Sequence, residues 1–157
     1  MNQEIKFRGK RVDNDGWVYG FFTNLFEESE NRNIAIIISQ YFEGADMSYP
    51  YPSVATFYSE VIPESVCQFT GLRDKNGKYI YEGDVITTKI FDEEEYNRKV
   101  IYFISNIASF CSANIQTLGL KFIYPYYNIS QEYIDEFRFE IIGNIHDNPE
   151  LLKIKQL

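Results

Sequence analysis

Apolar and polar residues alternate with a period of two along much of the chain. Ile5-Lys6-Phe7-Arg8 opens the pattern, and Asp13-Asn14-Asp15-Gly16 is a turn cluster that sends the chain back into a strand from Trp17 to Phe22. On that strand Trp17, Tyr19 and Phe21 share one face and Val18, Gly20 and Phe22 the other, so both faces are largely apolar and at least one must be covered. Trp17 follows a turn directly and reads as a core anchor. The acidic and polar stretch Glu27 to Asn33 separates this hairpin from Ile34-Ala35-Ile36-Ile37-Ile38, whose β-branched content predicts an interior strand. Phe57 to Ile62 predicts another strand, ended by Pro63, and Pro63 to Val66 predicts one helical turn. Val85–Phe91, Val100–Ile104, Ser109–Ile115 and Leu120–Tyr127 follow as strands, and Phe137–Ile141 alternates most cleanly of all. At the end, Asn148 as cap, Pro149 in first helical position and Glu150 at the positive end of the dipole predict a short helix reaching Ile154.

The chain is organised around Gln68 to Ile86, QFTGLRDKNGKYIYEGDVI. Asn76 and Gly77 both tolerate positive φ, and Asp74 can accept hydrogen bonds from the backbone ahead of it, which together predict a β-hairpin connection. Glu82-Gly83-Asp84 ends the second arm, with Gly83 in a conformation a side chain would forbid and Asp84 holding the turn. Residues 43 to 52 carry alternating Tyr and Pro, and Pro cannot donate to a ladder, so they read as a long surface loop.

Composition agrees with this reading: 13 Tyr and 13 Phe favour pleated surfaces over helices. The 157 residues suffice for one domain with its own core, or for an N-terminal lobe 1–62 and a C-terminal lobe 63–157. The net charge of −8 repels phosphate backbones, which disfavours nucleic acid as a partner. Lys6 and Arg8, in the most basic stretch, fall on one strand face as solvated charges. Cys67 and Cys111 have no metal-like spacing and His146 is the only histidine, so no zinc site, other metal or cofactor is expected. The acidic run Asp92 to Glu95 lacks the spaced ligands of a cation loop. Nothing at the N-terminus resembles a signal peptide and no apolar run has bilayer length, so the expectation is a cytoplasmic chain with no membrane partner and two reduced thiols; a Cys67–Cys111 bridge stays open.

No residue stands out as catalytic. Asp147 beside His146 would point to the opposite face of an extended segment, and Glu82 with Asp84, the most plausible carboxylate pair, has turn-holding work for Asp84. Tyr124, Tyr126 and Tyr127 are the candidate binding residues, an aromatic cluster able to stack on bases or on a protein.

Ile5 to Arg11, Trp17 to Gly20, Gln68 to Val85 and Ile142 to Leu152 carry a further signal: the chain resembles the YopX family of phage and prophage proteins, with His146 where tyrosine is commoner in the closing motif. The resemblance implies a phage or prophage origin, a largely β fold and self-assembly, and no particular activity. Gly83-Asp84-Val85 after a hairpin also follows the pattern of SH3-like barrels. The expected fold is therefore mainly β and YopX-like, with coiled antiparallel sheets of SH3-like barrel character and a short C-terminal helix. Three functional classes follow: a non-enzymatic accessory module that forms homo-oligomers or binds a host or phage protein; a single-stranded nucleic-acid-binding or processing factor; and an acidic DNA mimic.

Overall fold

The computed structural model describes residues 5–42, 54–89, 98–115 and 127–153. The chain divides into two units, Met1–Gln68 and Phe69–Leu157, and both are mainly antiparallel β.

In the first unit β1 (Phe7–Lys10), β2 (Trp17–Glu27), β3 (Arg32–Phe42) and β4 (Val54–Glu60) lie in the order β4-β3-β2-β1. β3 is interior, as its isoleucine run predicts. β2 is longer than the six residues expected, because it changes partner halfway: Trp17 to Gly20 pair β1, and Phe21 to Glu27 pair β3. Gly20 sits at the switch, where an added Cβ would lie 2.1 Å from the Ile38 carbonyl oxygen, so only glycine lets β3 come this close. One face of the sheet carries the core: Ala35, Ile37 and Val61 are buried, with Phe7, Val18, Phe22 and Val66 against them. The expected barrel does not close. A single bridge, Arg11 to Val61, flanked by bonds from the Ile62 N–H to Lys10 and the Val12 N–H to Glu60, joins the end of β1 to the end of β4 among the described residues. A 3-10 turn at Pro63–Ser65 follows, as Pro63 predicts, and Ser65 Oγ accepts the Lys10 N–H at 2.8 Å.

β5 (Cys67–Arg73) carries the chain onward: Cys67 and Gln68 pair β1, whereas Phe69 and Arg73 pair β6 (Tyr79–Tyr81). The second unit continues with β7 (Asp84–Thr87), β8 (Lys99–Ile104), β9 (Ser109–Asn114), β10 (Tyr127–Asn128), α1 (Gln131–Glu136) and β11 (Glu140–Asn144). Its five-stranded sheet has the order β10-β9-β8-β7-β11. Both faces of this sheet are covered. Ile86 and Ile101 pack with Ile80, Ile134 and Phe139 on one side, while Val85, Val100 and Ile115 meet Ile145, Leu151 and Leu152 on the other. Every residue of β7 is buried, which suits its apolar Val85-Ile86 centre.

Two expectations fail here for identifiable reasons. Phe137 to Phe139 is not a strand: α1 ends at Glu136, Arg138 adopts φ 50°, and only Glu140–Asn144 pairs β7. The alternation is genuine, but Phe137 and Phe139 turn inward by way of this left-handed residue to stack with Tyr133. The helix begins at Ser130, whose hydroxyl accepts the Tyr133 N–H. The C-terminal helix is one 3-10 turn, Pro149–Leu152, without a side-chain cap, because Asn148 Oδ1 accepts the Asn144 N–H and its amide nitrogen donates to Glu150. Residues 43–52, the acidic run 92–95 and the strand expected before Tyr127 lie outside the described residues.

Candidate functional site

The register of the first unit fixes which side chains share the face opposite its core. Directly opposed residues of an antiparallel ladder point the same way, so this face carries successive cross-strand rows: Lys10 with Trp17, Arg8 with Tyr19, Phe21 with Ile38 and Tyr58, Thr23 with Ile36 and Glu60, Leu25 with Ile34, and Glu27 with Arg32. Ile36 is buried, but Tyr19 is 50 % exposed, Phe21 54 %, Leu25 46 % and Tyr58 72 %. Trp17 is half-buried and is not among the residues of the cluster around Ile37; its ring carries the Arg8 guanidinium, 4.6 Å from the centroid. Arg8 is thereby only 6 % exposed, which corrects its reading as a solvated charge.

The far end of this face is ionic. Arg32 reaches Glu60 at 2.6 Å, Glu30 at 2.7 Å and Glu27 at 3.0 Å, so three carboxylates surround one guanidinium. The Arg32 hydrogen bond holds the Glu60 carboxyl below its ordinary value, and the same partners raise Arg32 further above its own. At the near end Lys10 pairs with Asp15 at 3.2 Å. Beside Tyr58 lies a pocket of about 250 Å³ lined by Arg11, Val12, Asp13, Tyr58, Ser59 and Glu60. That is below the roughly 300–1,000 Å³ usual for small-molecule sites. It is the size of a niche for one protruding side chain.

The turn residues behave as backbone devices. Asp74 Oδ1 accepts the Asn76 and Lys78 N–H groups at 2.8 and 2.9 Å, and its Oδ2 accepts the Ile141 N–H at 3.1 Å. Burial opposes its ionisation, but the N–H groups of Ile141, Lys78 and Asn76 outweigh burial and hold its pKa below the usual carboxylate value. Of the two residues that tolerate positive φ, Gly77 takes it, at 80°, and Asn76 does not. The Gly77 N–H donates to the Asp74 carbonyl at 2.8 Å and the Asp74 N–H to Lys78 at 2.9 Å, so the expected hairpin connection is made by a turn followed by a bulge. Gly83 has φ 77°, as expected. Asp84 accepts the Tyr81 N–H at 2.8 Å and Glu82 accepts the Phe103 N–H at 3.2 Å, so both carboxylates of that pair serve the backbone. Asp147 is likewise bound by the Asn144 amide at 2.8 Å.

Of the candidate tyrosines, Tyr124 and Tyr126 lie outside the described residues; Tyr127 is half-exposed, with Lys99 Nζ 4.9 Å from its ring centroid. Cys67 and Cys111 are buried thiols, and burial pushes the Cys111 thiol up. Among the described residues no group of three His, Cys, Asp or Glu is placed to hold a metal ion, and no helix is long and apolar enough to cross a membrane. The aromatic face went unread in the sequence because it needs two facts at once: the length of β2, and which of its two apolar sides the core takes.

Comparison with known proteins bears on family and fold. Residues 6–153 match the family model described as YopX protein. The crystal structure of protein EF1440 from Enterococcus faecalis is similar, with a TM-score of 0.57 and 24 % identity, over 97 % of this chain and 100 % of that one. That likeness shows the fold alone. A comparison with curated proteins returned no match.

Proposed function

Since the chain belongs to the YopX family, we propose that it is a non-enzymatic phage or prophage accessory module that acts in the host cytoplasm by protein docking or self-assembly. The observation that supports this reading is the row Phe21, Ile38, Tyr58 with its neighbours Tyr19 and Leu25 on one sheet face, of which Phe21, Tyr58, Tyr19 and Leu25 are exposed. Taking roughly 200 Å² per large side chain, their exposed fractions leave on the order of 400 Å² of apolar side chain in solvent. A standard interface of about 800 Å² per partner is slightly more than half apolar, which asks for about that area. Carboxylates that could have served acid–base chemistry, Asp74, Asp84 and Glu82, are engaged with backbone N–H groups.

Base stacking on Tyr127 is less well supported, because Lys99 already covers one face of the ring. The test is affinity capture with the chain and with its Phe21→Ser, Tyr58→Ser double variant, followed by identification of retained protein. A partner or second copy held by the first and released by the second is the expected result. Equal retention by both would refute the assignment of this face.

A further inference from the structure

We infer that Asn76 is a site of spontaneous deamidation, and that the turn built on Asp74 holds the reaction back for as long as residues 139–141 stay docked against it. The inference is independent of the docking function proposed above.

The chemistry is that of the Asn76-Gly77 sequence. In deamidation the backbone nitrogen of the following residue gives its proton to a solvent base and attacks the side-chain carbonyl carbon of the asparagine. A C–N bond forms, the side-chain nitrogen leaves as ammonia, and the product is a cyclic succinimide. Water then opens this ring at either carbonyl. One opening leaves aspartate, and the other leaves isoaspartate, in which the main chain runs through the former side chain. A bulky residue after the asparagine crowds the attacking nitrogen. Asn33, Asn106, Asn114, Asn128 and Asn144 all precede isoleucine, which is branched at Cβ, whereas Asn76 alone among the asparagines precedes glycine. Asn76 is also exposed, so water reaches it.

The folded turn opposes the attack. The Gly77 N–H donates to the Asp74 carbonyl at 2.8 Å, so the proton that must leave is engaged. Closed by that bond and without a positive φ at Asn76, the turn has type I geometry, in which ψ of the third residue is about 0° and directs the next nitrogen away from the side chain. Ring closure therefore requires the 76–77 peptide to rotate and the Gly77 bond to break. Further contacts resist that rotation: the Asn76 and Lys78 N–H groups on Asp74 Oδ1, and Arg73 Nη1 donating to the Gly77 carbonyl at 3.1 Å. The turn is in turn clamped from β11 and the residue before it. Asp74 Oδ2 accepts the Ile141 N–H at 3.1 Å, the Lys75 N–H donates to the Phe139 carbonyl at 2.9 Å, and Lys75 Nζ meets Glu140 at 2.5 Å.

Deamidation thus runs through the opened turn, and its rate reads how often the clamp releases. The isoaspartyl product cannot close the turn again. It inserts a methylene group into the main chain between the Asn76 and Lys78 N–H groups that Asp74 Oδ1 holds together, and it adds a carboxylate beside Asp74.

The experiment incubates the full chain at neutral pH, folded and in guanidinium chloride, and follows amide loss by peptide mass spectrometry, with isoaspartate identified by isoaspartyl methylation. In denaturant Asn76 should react faster than every other asparagine, and in the folded chain at least roughly tenfold more slowly than in denaturant. Asp74→Ala, folded by circular dichroism, should recover most of that difference. Should it not fold, Glu140→Gln, which removes only the Lys75 pair, should raise the rate by a smaller factor. Isoaspartyl chains, separated by their added negative charge, should lose more hydrogen-exchange protection at Ile141 than Asn76→Asp chains do. Equal rates in the folded and unfolded chain overturn the guarding role of the turn, and so do folded variants no faster than the native chain. Native protection at Ile141 in isoaspartyl chains overturns the coupling to the clamp. An Asn76 no more reactive in denaturant than Asn33 removes the site itself.

Discussion

The two units solve the same problem differently. In the second, a sheet whose strands are apolar on both faces is covered on both: α1 brings Ile134 and Tyr133 to one side, and the C-terminal turn brings Leu151 and Leu152 to the other. In the first, β2 is as apolar on both faces; the side of Val18 and Phe22 joins a core cluster, while the side of Tyr19, Phe21 and Leu25 keeps those three about half exposed around the buried Ile36. The exposures record the difference. Leu25 at 46 %, the least exposed large apolar residue of the first unit's exposed set, exceeds every one in the second except Tyr127 at 49 %. An apolar side chain in water is ordinary, but contiguous rows of them mark an interaction surface. The second unit turns its apolar alternation into two covered faces, the first into one covered face and one on which Tyr19, Phe21, Leu25 and Tyr58 stay about half exposed or more.

This contrast can be broken by mutation. Ile101→Ala in the second unit and Ile37→Ala in the first both open a cavity in a covered face and should each cost about 2–5 kcal/mol in urea unfolding. A small effect of Ile37→Ala would mean that the inner face of the first unit is not its core. Gly20→Ala should cost about 3 kcal/mol, because the new methyl group meets the backbone of β3 and no rotamer relieves it; hydrogen exchange would show lost protection in Phe21 to Glu27, and undiminished protection there would rule out the steric account.

Asp74→Asn should cost about 2–3 kcal/mol, since an amide cannot accept three N–H bonds as a carboxylate does. The same substitution tests a pH dependence. The folded-state pKa of Asp74 is depressed, so its contribution is complete above the unfolded carboxylate value and is lost as pH falls through the lower folded value. Glu140, held down chiefly by its hydrogen bond from Lys75, adds the same sign. Stability of the native chain should therefore drop on acidification below about pH 4, with a shallower slope in Asp74→Asn. Identical slopes would show that Asp74 does not carry the linkage. The smallest effect is expected from Phe21→Ser and Tyr58→Ser, within about 0.5 kcal/mol each when measured at dilution, as for uncovered surface positions. A loss of several times that would mean that this face is covered within the monomer.

How far the sequence foretold this arrangement depended on whether the signal was local. The hairpin from Gln68 to Ile86 was legible because Asp74, Gly77 and Gly83 act on backbone within a few residues of themselves, and the family motifs fall on the same positions. The isoleucine run of β3 was legible for a similar reason. Helix α1 was not, since six residues with one Ser cap give little periodicity, and the neighbouring Phe137-Arg138-Phe139 mimics a strand until Arg138 turns left-handed. The burial of Arg8 depends on Trp17 across a ladder, and the aromatic face depends on three registers at once. Neither is written in any single stretch.

The change of partner at Gly20 makes β2 behave like a ruler with a fixed zero. Four residues are counted off toward one neighbour and seven toward the other, and each count carries its own in-and-out alternation. Adding one residue between Phe21 and Glu27 would leave Trp17 and Tyr19 where they are and send every side chain beyond the insertion to the opposite side. Leu25 and Phe26 would exchange sides of the sheet, and the charged end would change sides with them. The two registers of β2 thus fix its length as firmly as Gly20 fixes the point where they meet.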